Sequence, residues 1–316
     1  MGSLQTFQEF TSGARPQGGT IRELVLGRVT NVISKKRPLL AFLKGTGEVT
    51  NTYVESLTDV LPARAHNAVV EDYTYTAQDS VQPSRHFTHT QSLYASGQVT
   101  DTARAVGRYG MSDPYTYQVN KKLQSVLNDL EHTCHRGSAA SGETNVPRQF
   151  NGLLNIPGAT TMTAMSGVTL TEGVFIDLLQ AFVDNNYDVD VTRTFVNSWL
   201  KRTISEYSTK NTFNIPTDAR TQILNIERHN SDFGDVDIVY TQDQLKSATK
   251  HGDTNSLVFV DGDHLSLGWL RPLKVEPLAR DGTRDRFQIS GEVTLVYDTA
   301  VAVGGATQVS DYINAT

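Results

Sequence analysis

Residues 50–93 place the tightest limit on what this chain can fold into. The stretch is rich in Thr, Val, Tyr and Ser, mixes apolar with polar side chains, and holds almost nothing that favours a long helix, so it reads as a long β-hairpin-like excursion. Its middle, residues 63–80, is polar and carries Glu71, Asp72 and Asp79. Such a segment buries too little apolar surface to offset the entropy of ordering it, and it therefore needs a partner surface. The chain ahead of it has no core of its own either. Gly13, Pro16, Gly18 and Gly19 punctuate a polar start, and residues 21–32 offer one short helix or extended arm. Lys35, Lys36 and Arg37 form a small basic cluster closed by Pro38, which biases Arg37 toward extended backbone and reads most simply as a solvated turn.

The clearest helix follows the excursion. Asp113 is a good N-cap, Pro114 suits the first helical position, and Val119, Leu123, Val126, Leu127, Leu130 and Cys134 fall on one stripe before Gly137 stops it. At 1.5 Å per residue, residues 115–136 span roughly 33 Å, long enough to serve as the spine of a domain. A second helix opens on Thr169-Leu170-Thr171-Glu172, a capping-box pattern, buries Phe175, Leu178, Leu179, Phe182 and Val183, and ends at residues 187–190. Strand-like stretches at 191–196, 222–228, 236–240 and 257–260 alternate with a short helix at 198–207. Residues 286–298 alternate Phe287, Ile289, Val293, Leu295 and Tyr297 with Gln288, Ser290, Glu292 and Thr294 on the opposite, polar face, after a turn at Asp281-Gly282. The class is α+β, one tertiary unit with arms.

The totals exclude several roles. A formal net charge of −6 argues against gripping nucleic acid over the whole surface and leaves room only for a local basic patch. No apolar run reaches the roughly 20 residues of a membrane span, and residues 1–5 lack the pattern of a signal peptide, so the chain is expected to remain in the cytosol. The single cysteine, Cys134, forbids an intrachain disulfide and a paired-cysteine zinc site.

Catalytic signals are weak. Asp232-Phe233-Gly234 lacks the glycine-rich loop and His-Arg-Asp loop of a kinase, and it reads as a turn. His132 and His135 flank Cys134 without an evident third ligand, and histidines also suit the negative end of a helix dipole. Asp261-Gly262-Asp263-His264 lacks the spacing of a calcium loop. Residues 137–142, Gly-Ser-Ala-Ala-Ser-Gly, do not end as a phosphate loop does and read as a linker. No nucleophile elbow or His-Glu-x-x-His motif occurs, so no catalytic, cofactor or metal residue is assigned. A metal-dependent hydrolase or nucleotide-binding enzyme is the weaker hypothesis.

The order of parts resembles the tailed-phage major capsid proteins of the Hong Kong 97 type, in particular a branch seen in podophages and their relatives. The likeness runs over nearly the whole chain. It begins at Arg22-Glu23-Leu24, Arg37-Pro38-Leu39, Asn51-Thr52-Tyr53-Val54-Glu55 and Asp59-Val60-Leu61, and resumes at Arg85-His86-Phe87-Thr88-His89-Thr90. It continues through Tyr117-Gln118, Lys121-Lys122-Leu123 and Asp129-Leu130-Glu131 to Arg148 and Gly152-Leu153. Sharper matches follow at Leu170-Thr171-Glu172, Asp232-Phe233-Gly234-Asp235-Val236, Leu270-Arg271-Pro272, Pro277-Leu278-Ala279 and Gly291-Glu292-Val293-Thr294-Leu295.

The resemblance implies an N-terminal arm (1–46), an extended loop (47–93), a peripheral domain with the spine helix (94–151 and 261–316, helix 114–136) and an axial domain (152–260). It implies a structural subunit assembling into hexamers and pentamers around double-stranded DNA in a phage head, built in the host bacterial cytoplasm, with an encapsulin-like compartment shell as the alternative. The expected partners are further copies of the chain, a separate scaffolding protein, a portal, a decoration protein and DNA contacted non-specifically, with no membrane and no cofactor. Lys35, Lys36, Arg37, Tyr53, Glu55, Asp59, Glu71, Asp72, Arg85, Arg148 and Arg271 are the expected inter-subunit contacts, the basic cluster meeting a neighbour in preference to DNA. Some relatives join subunits through a lysine in the extended loop. Residues 45–120 contain no lysine, so no covalent ladder is expected on denaturing gels of assembled shells.

Overall fold

The structure is a computed structural model and describes residues 36–59, 66, 68–74, 82–106, 113–143, 145–159, 161–185, 193–210, 227–231, 233–248 and 254–310. Expectations for residues 1–35, 187–192 and 222–226, and for Asp232, lie outside them.

The spine helix, Pro114–Arg136, forms for the reasons its sequence gives. The Asp113 carboxylate accepts from the amides of Tyr115 and Thr116 at 3.1 and 3.2 Å, and these hydrogen bonds, led by that of the Thr116 hydroxyl, hold its carboxyl below the ordinary value despite partial desolvation. Only the C-terminal half of the apolar stripe is fully buried, at Val126, Leu130 and Cys134. Burial pushes the Cys134 thiol well up, helped by the charge of Glu131, which makes it an inert core residue. Beyond the helix, the Gly152 amide bonds to the Gly137 carbonyl at 2.8 Å, and a Cβ on Gly152 would stand 2.5 Å from the Gly137 nitrogen. Two backbones touch there, which only glycine permits.

Strands β1 (Lys44–Glu48), β2 (Tyr53–Thr58), β3 (Ser84–His89) and β4 (Gln91–Thr100) precede the spine. After it come β5 (Thr161–Ala164), β6 (Arg193–Val196), β7 (Arg228–Ser231), β8 (Gly234–Tyr240), β9 (Asn255–Val260), β10 (Leu265–Leu278), β11 (Arg284–Tyr297) and β12 (Val303–Val309). One sheet has the order β1-β10-β11-β4, a second β5-β12-β9-β6-β8-β7, and β2 pairs with β3 in a two-stranded ribbon. Parallel pairs, β1 with β10 and β6 with β8, occur beside antiparallel ones, so the class is α+β as expected. The spine crosses the first sheet, where Tyr115 meets Phe287 edge-on at 5.4 Å. Its last turns join a core shared with the second sheet: Leu130, Cys134 and Phe150 pack with Phe195, Val258, Val293 and Leu295. Helices Glu172–Asn185 and Ser198–Lys210 cover the second sheet through Phe175, Phe182, Leu200 and Ile204.

Three expectations change. Residues 261–316 do not all accompany the spine: β12 pairs with β9 through Val303↔Val260 to Ala306↔Leu257, so the chain's last described strand belongs to the second sheet. Glu292 and Thr294, expected on a polar face, are both buried, because the β2–β3 ribbon leans over that end of β11. Strand β10 has no counterpart in the sequence reading, since Pro272 and Pro277 argue against a strand. The structure accommodates them: the register shifts around Arg271, and the pairing with β1 ends at Trp269, so neither proline lies opposite β1.

Candidate functional site

No group of three or more His, Cys, Asp or Glu side chains able to hold a metal occurs among the described residues. His132 and His135 diverge: His132 meets Asp243 at 3.2 Å on the surface, while His135 is buried against Gln244 at 3.2 Å. The Asp261 carboxylate turns back to accept from the Asp263 amide at 2.9 Å, as a turn residue does. Phe233 and Gly234 lie in the β7–β8 hairpin. No helix among the described residues is long and apolar enough to cross a membrane.

The features built for contact are the two excursions. The β2–β3 ribbon runs in register from Tyr53↔His89 to Thr58↔Ser84. One face turns to the body, where Thr88 lies 3.3 Å from Thr294, the Tyr297 hydroxyl donates to the Phe87 carbonyl at 3.0 Å, and Thr58 donates to the Asp298 carbonyl at 2.9 Å. The other face carries Tyr53 stacked on Phe87 at 5.4 Å, Leu57 at 67% exposure, and the exposed Glu55–Arg85 pair at 3.7 Å. Between the two strands in sequence, Val69 and Val70 are 63% and 73% exposed. Apolar side chains held in a ribbon and facing water mark an interaction surface.

One buried carboxylate fixes each excursion. Where the ribbon enters the first sheet, Glu292 accepts from the Thr90 hydroxyl at 2.7 Å, from the Arg148 guanidinium, and from Arg271 Nε at 3.3 Å, while Arg148 Nε donates to the Thr90 carbonyl at 2.8 Å. Burial alone would raise the Glu292 carboxyl; the Thr90 hydrogen bond and the two guanidiniums outweigh it and hold it below the ordinary value. Where the arm meets the spine, the two oxygens of Glu131 accept from the amides of Leu39 and Leu40 at 2.9 and 2.8 Å and so cap the short helix Pro38–Phe42. Arg37 Nε donates to Asn128 at 2.9 Å, and its terminal nitrogen bonds Gln124.

These contacts sort the expected interface residues. Arg37 is no solvated turn residue, since its guanidinium is held by the neutral side chains of Asn128 and Gln124 on the spine, whereas that of Arg148 meets the Glu292 carboxylate and the Thr90 carbonyl. Arg271 shares Glu292 but stays largely exposed. Lys36, Tyr53, Glu55, Asp59, Glu71, Asp72 and Arg85 are exposed, and Lys35 lies outside the described residues. Glu131 escaped the sequence reading although it left a signal, a charge set among Leu127, Leu130 and Cys134 on the buried stripe.

No curated protein sequence matches the chain. The sequence profile of the SU10 major capsid protein family matches residues 4–310. The chain belongs to that family. This major capsid protein is therefore a structural shell subunit of the virion that assembles with copies of itself, and not an enzyme. Solved structures agree on the fold. The capsid of the native GTA particle, computed with C5 symmetry, matches at 13% identity over 93% of this chain and 97% of that one, with a TM-score of 0.64. The capsid of the Myoviridae phage XM1 matches at 13% identity over 93% and 100%, with a TM-score of 0.62. The holo-SrpI encapsulin of Synechococcus elongatus PCC 7942 matches at 12% identity over 99% of each chain, with a TM-score of 0.57. The capsid protein thus has the Hong Kong 97-like fold.

Proposed function

We propose that the chain forms hexamers and pentamers that close into an icosahedral phage head around double-stranded DNA, in the podophage-like branch of the Hong Kong 97 type. The β2–β3 ribbon is the extended loop, the first sheet with the spine is the peripheral domain, and the second sheet with its two helices is the axial domain. A separate scaffolding protein, a portal and a decoration protein complete the set of partners, with assembly in the host bacterial cytoplasm and non-specific contact to the packaged DNA. The inter-subunit contacts run through Lys36, Tyr53, Glu55, Asp59, Glu71, Asp72, Arg85 and the exposed part of Arg271.

The observation that carries this reading is the ribbon's outward apolar face, with Leu57 at 67% exposure beside the Tyr53–Phe87 stack. A lone subunit leaves that face in water, whereas a ring of copies covers it once per subunit. Interfaces of about 1,000–2,000 Å² repeated around a shell sum to a stable particle although no single pair is tight.

Negative-stain microscopy of the expressed protein, alone and with a scaffold, is expected to show closed shells of uniform diameter. A rigid, protease-resistant monomer under both conditions sinks the reading. Leu57→Asp is expected to leave subunit unfolding within about 0.5 kcal/mol of the parent, as exposed substitutions do, while cutting the yield of closed shells about tenfold. An encapsulin-like compartment is the second reading, prompted by the SrpI likeness; purified particles holding a protein cargo and no DNA would favour it.

A further inference from the structure

A groove of about 650 Å³ runs beside β8 and reaches Lys36, two residues ahead of the short helix Pro38–Phe42. Lys36, Arg193 and Lys201 line it, with Ile238, Val239 and Tyr240 as its apolar part. Two of the cations are held in place from within the chain. The Arg193 guanidinium sits 4.5 Å over the Phe42 ring, and the Lys201 ammonium donates to the Ile238 carbonyl at 3.0 Å. Of the two carboxylates lining the groove, Asp237 is engaged by Arg228 at 2.8 Å and Glu227 offsets the nearby Lys201 ammonium, which leaves the charges of Lys36 and Arg193 in excess. In a chain of net charge −6 this is a local positive site.

Its volume lies in the usual range of about 300–1,000 Å³ for binding clefts and suits a few residues of extended peptide. The complementary chemistry is present in the chain itself. Val69 and Val70 precede Glu71 and Asp72, and all four are exposed. Two apolar side chains followed by two carboxylates match a groove lined by both apolar and cationic side chains.

We propose that this groove receives residues 69–72 of a second copy of the chain, with Glu71 and Asp72 facing Lys36 and Arg193. This rests on the shell reading and names one of its subunit contacts. Opposite charges placed this way set the register of an interface and penalise misplaced neighbours.

The test is a charge exchange in the full chain, read by the protein concentration at which shells form. Lys36→Glu and Glu71→Lys should each raise that concentration about tenfold, because a like charge then faces its counterpart, and the pair combined should return to within about threefold of the parent. Both positions are exposed, and circular dichroism of the unassembled subunits checks that each variant folds. Independently, Lys36→Cys with Glu71→Cys, treated with a short bismaleimide, should give a ladder of linked subunits in assembled shells. Parent-like assembly by both single variants, or a link confined within one subunit, overturns the groove assignment while leaving the shell reading intact. Normal shells of Lys36→Glu that package less DNA overturn it in favour of phosphate. A parent protein that forms no shells removes both readings.

Discussion

Glu131→Ala is expected to release the N-terminal arm from the spine while the two sheets stay folded. The carboxylate is 1% exposed, and its two oxygens take the amides of Leu39 and Leu40. A buried amide left without an acceptor costs about 1–3 kcal/mol, so two of them cost about 3 kcal/mol after some relaxation. That corresponds to a rise on the order of a hundredfold in the exchange rate of those two amides in the unassembled subunit. Glu131→Gln should fall between, since its carbonyl can accept from one amide while its NH2 group faces the other. Hydrogen exchange resolved at residues 37–43 reads the effect directly. Parent-like protection in Glu131→Ala would mean that Leu39 and Leu43, buried against the core, hold the helix without the cap.

Much of the framework was legible because its signals are local. Asp113, Pro114 and the stripe ending at Cys134 specify the spine within one turn of each end, and the alternation from Phe287 to Tyr297 specifies β11. The excursion was legible from its composition, although only Tyr53–Thr58 and Ser84–His89 pair as a ribbon and Gln91–Thr100 belongs to the first sheet. What stayed hidden depends on long-range context. β10 carries two prolines that are tolerable only where no strand on that side needs their missing amides, a fact about β1 some 220 positions earlier in the chain. β12 contains Gly304-Gly305 and a positive φ at Gln308, which weaken any strand pattern. Thr90 and Glu292 meet across 202 positions, so no local window links them. The expected contact residues divide along the same line: the exposed acidic and aromatic ones stand where a neighbour can reach them, whereas Arg37 and Arg148 found partners that only the tertiary fold supplies.

Glu292→Ala is expected to loosen the ribbon at its root. The substitution strips the acceptor from Thr90 and the counter-charge from Arg148, whose guanidinium also holds the Thr90 carbonyl. Removing one partner of a buried pair costs about 3–5 kcal/mol; Arg271 is mostly exposed and screened, and Arg148 retains some water contact, which brings the expected loss to about 2–3 kcal/mol. Urea denaturation of the unassembled subunit should show it as a lower midpoint with an unchanged slope. The loss should also depend on pH in a defined direction. Because the folded carboxyl is held below its unfolded value, its contribution is complete above the ordinary glutamate range and disappears as pH falls through the lower folded value. Parent and Glu292→Ala should therefore differ most near neutral pH and converge on acidification, the parent losing stability that the variant never had. A gap of constant size across that range would show that Glu292 acts by filling space and not by its charge. If convergence is observed, the ribbon's attachment to the first sheet draws part of its stability from one ionised side chain.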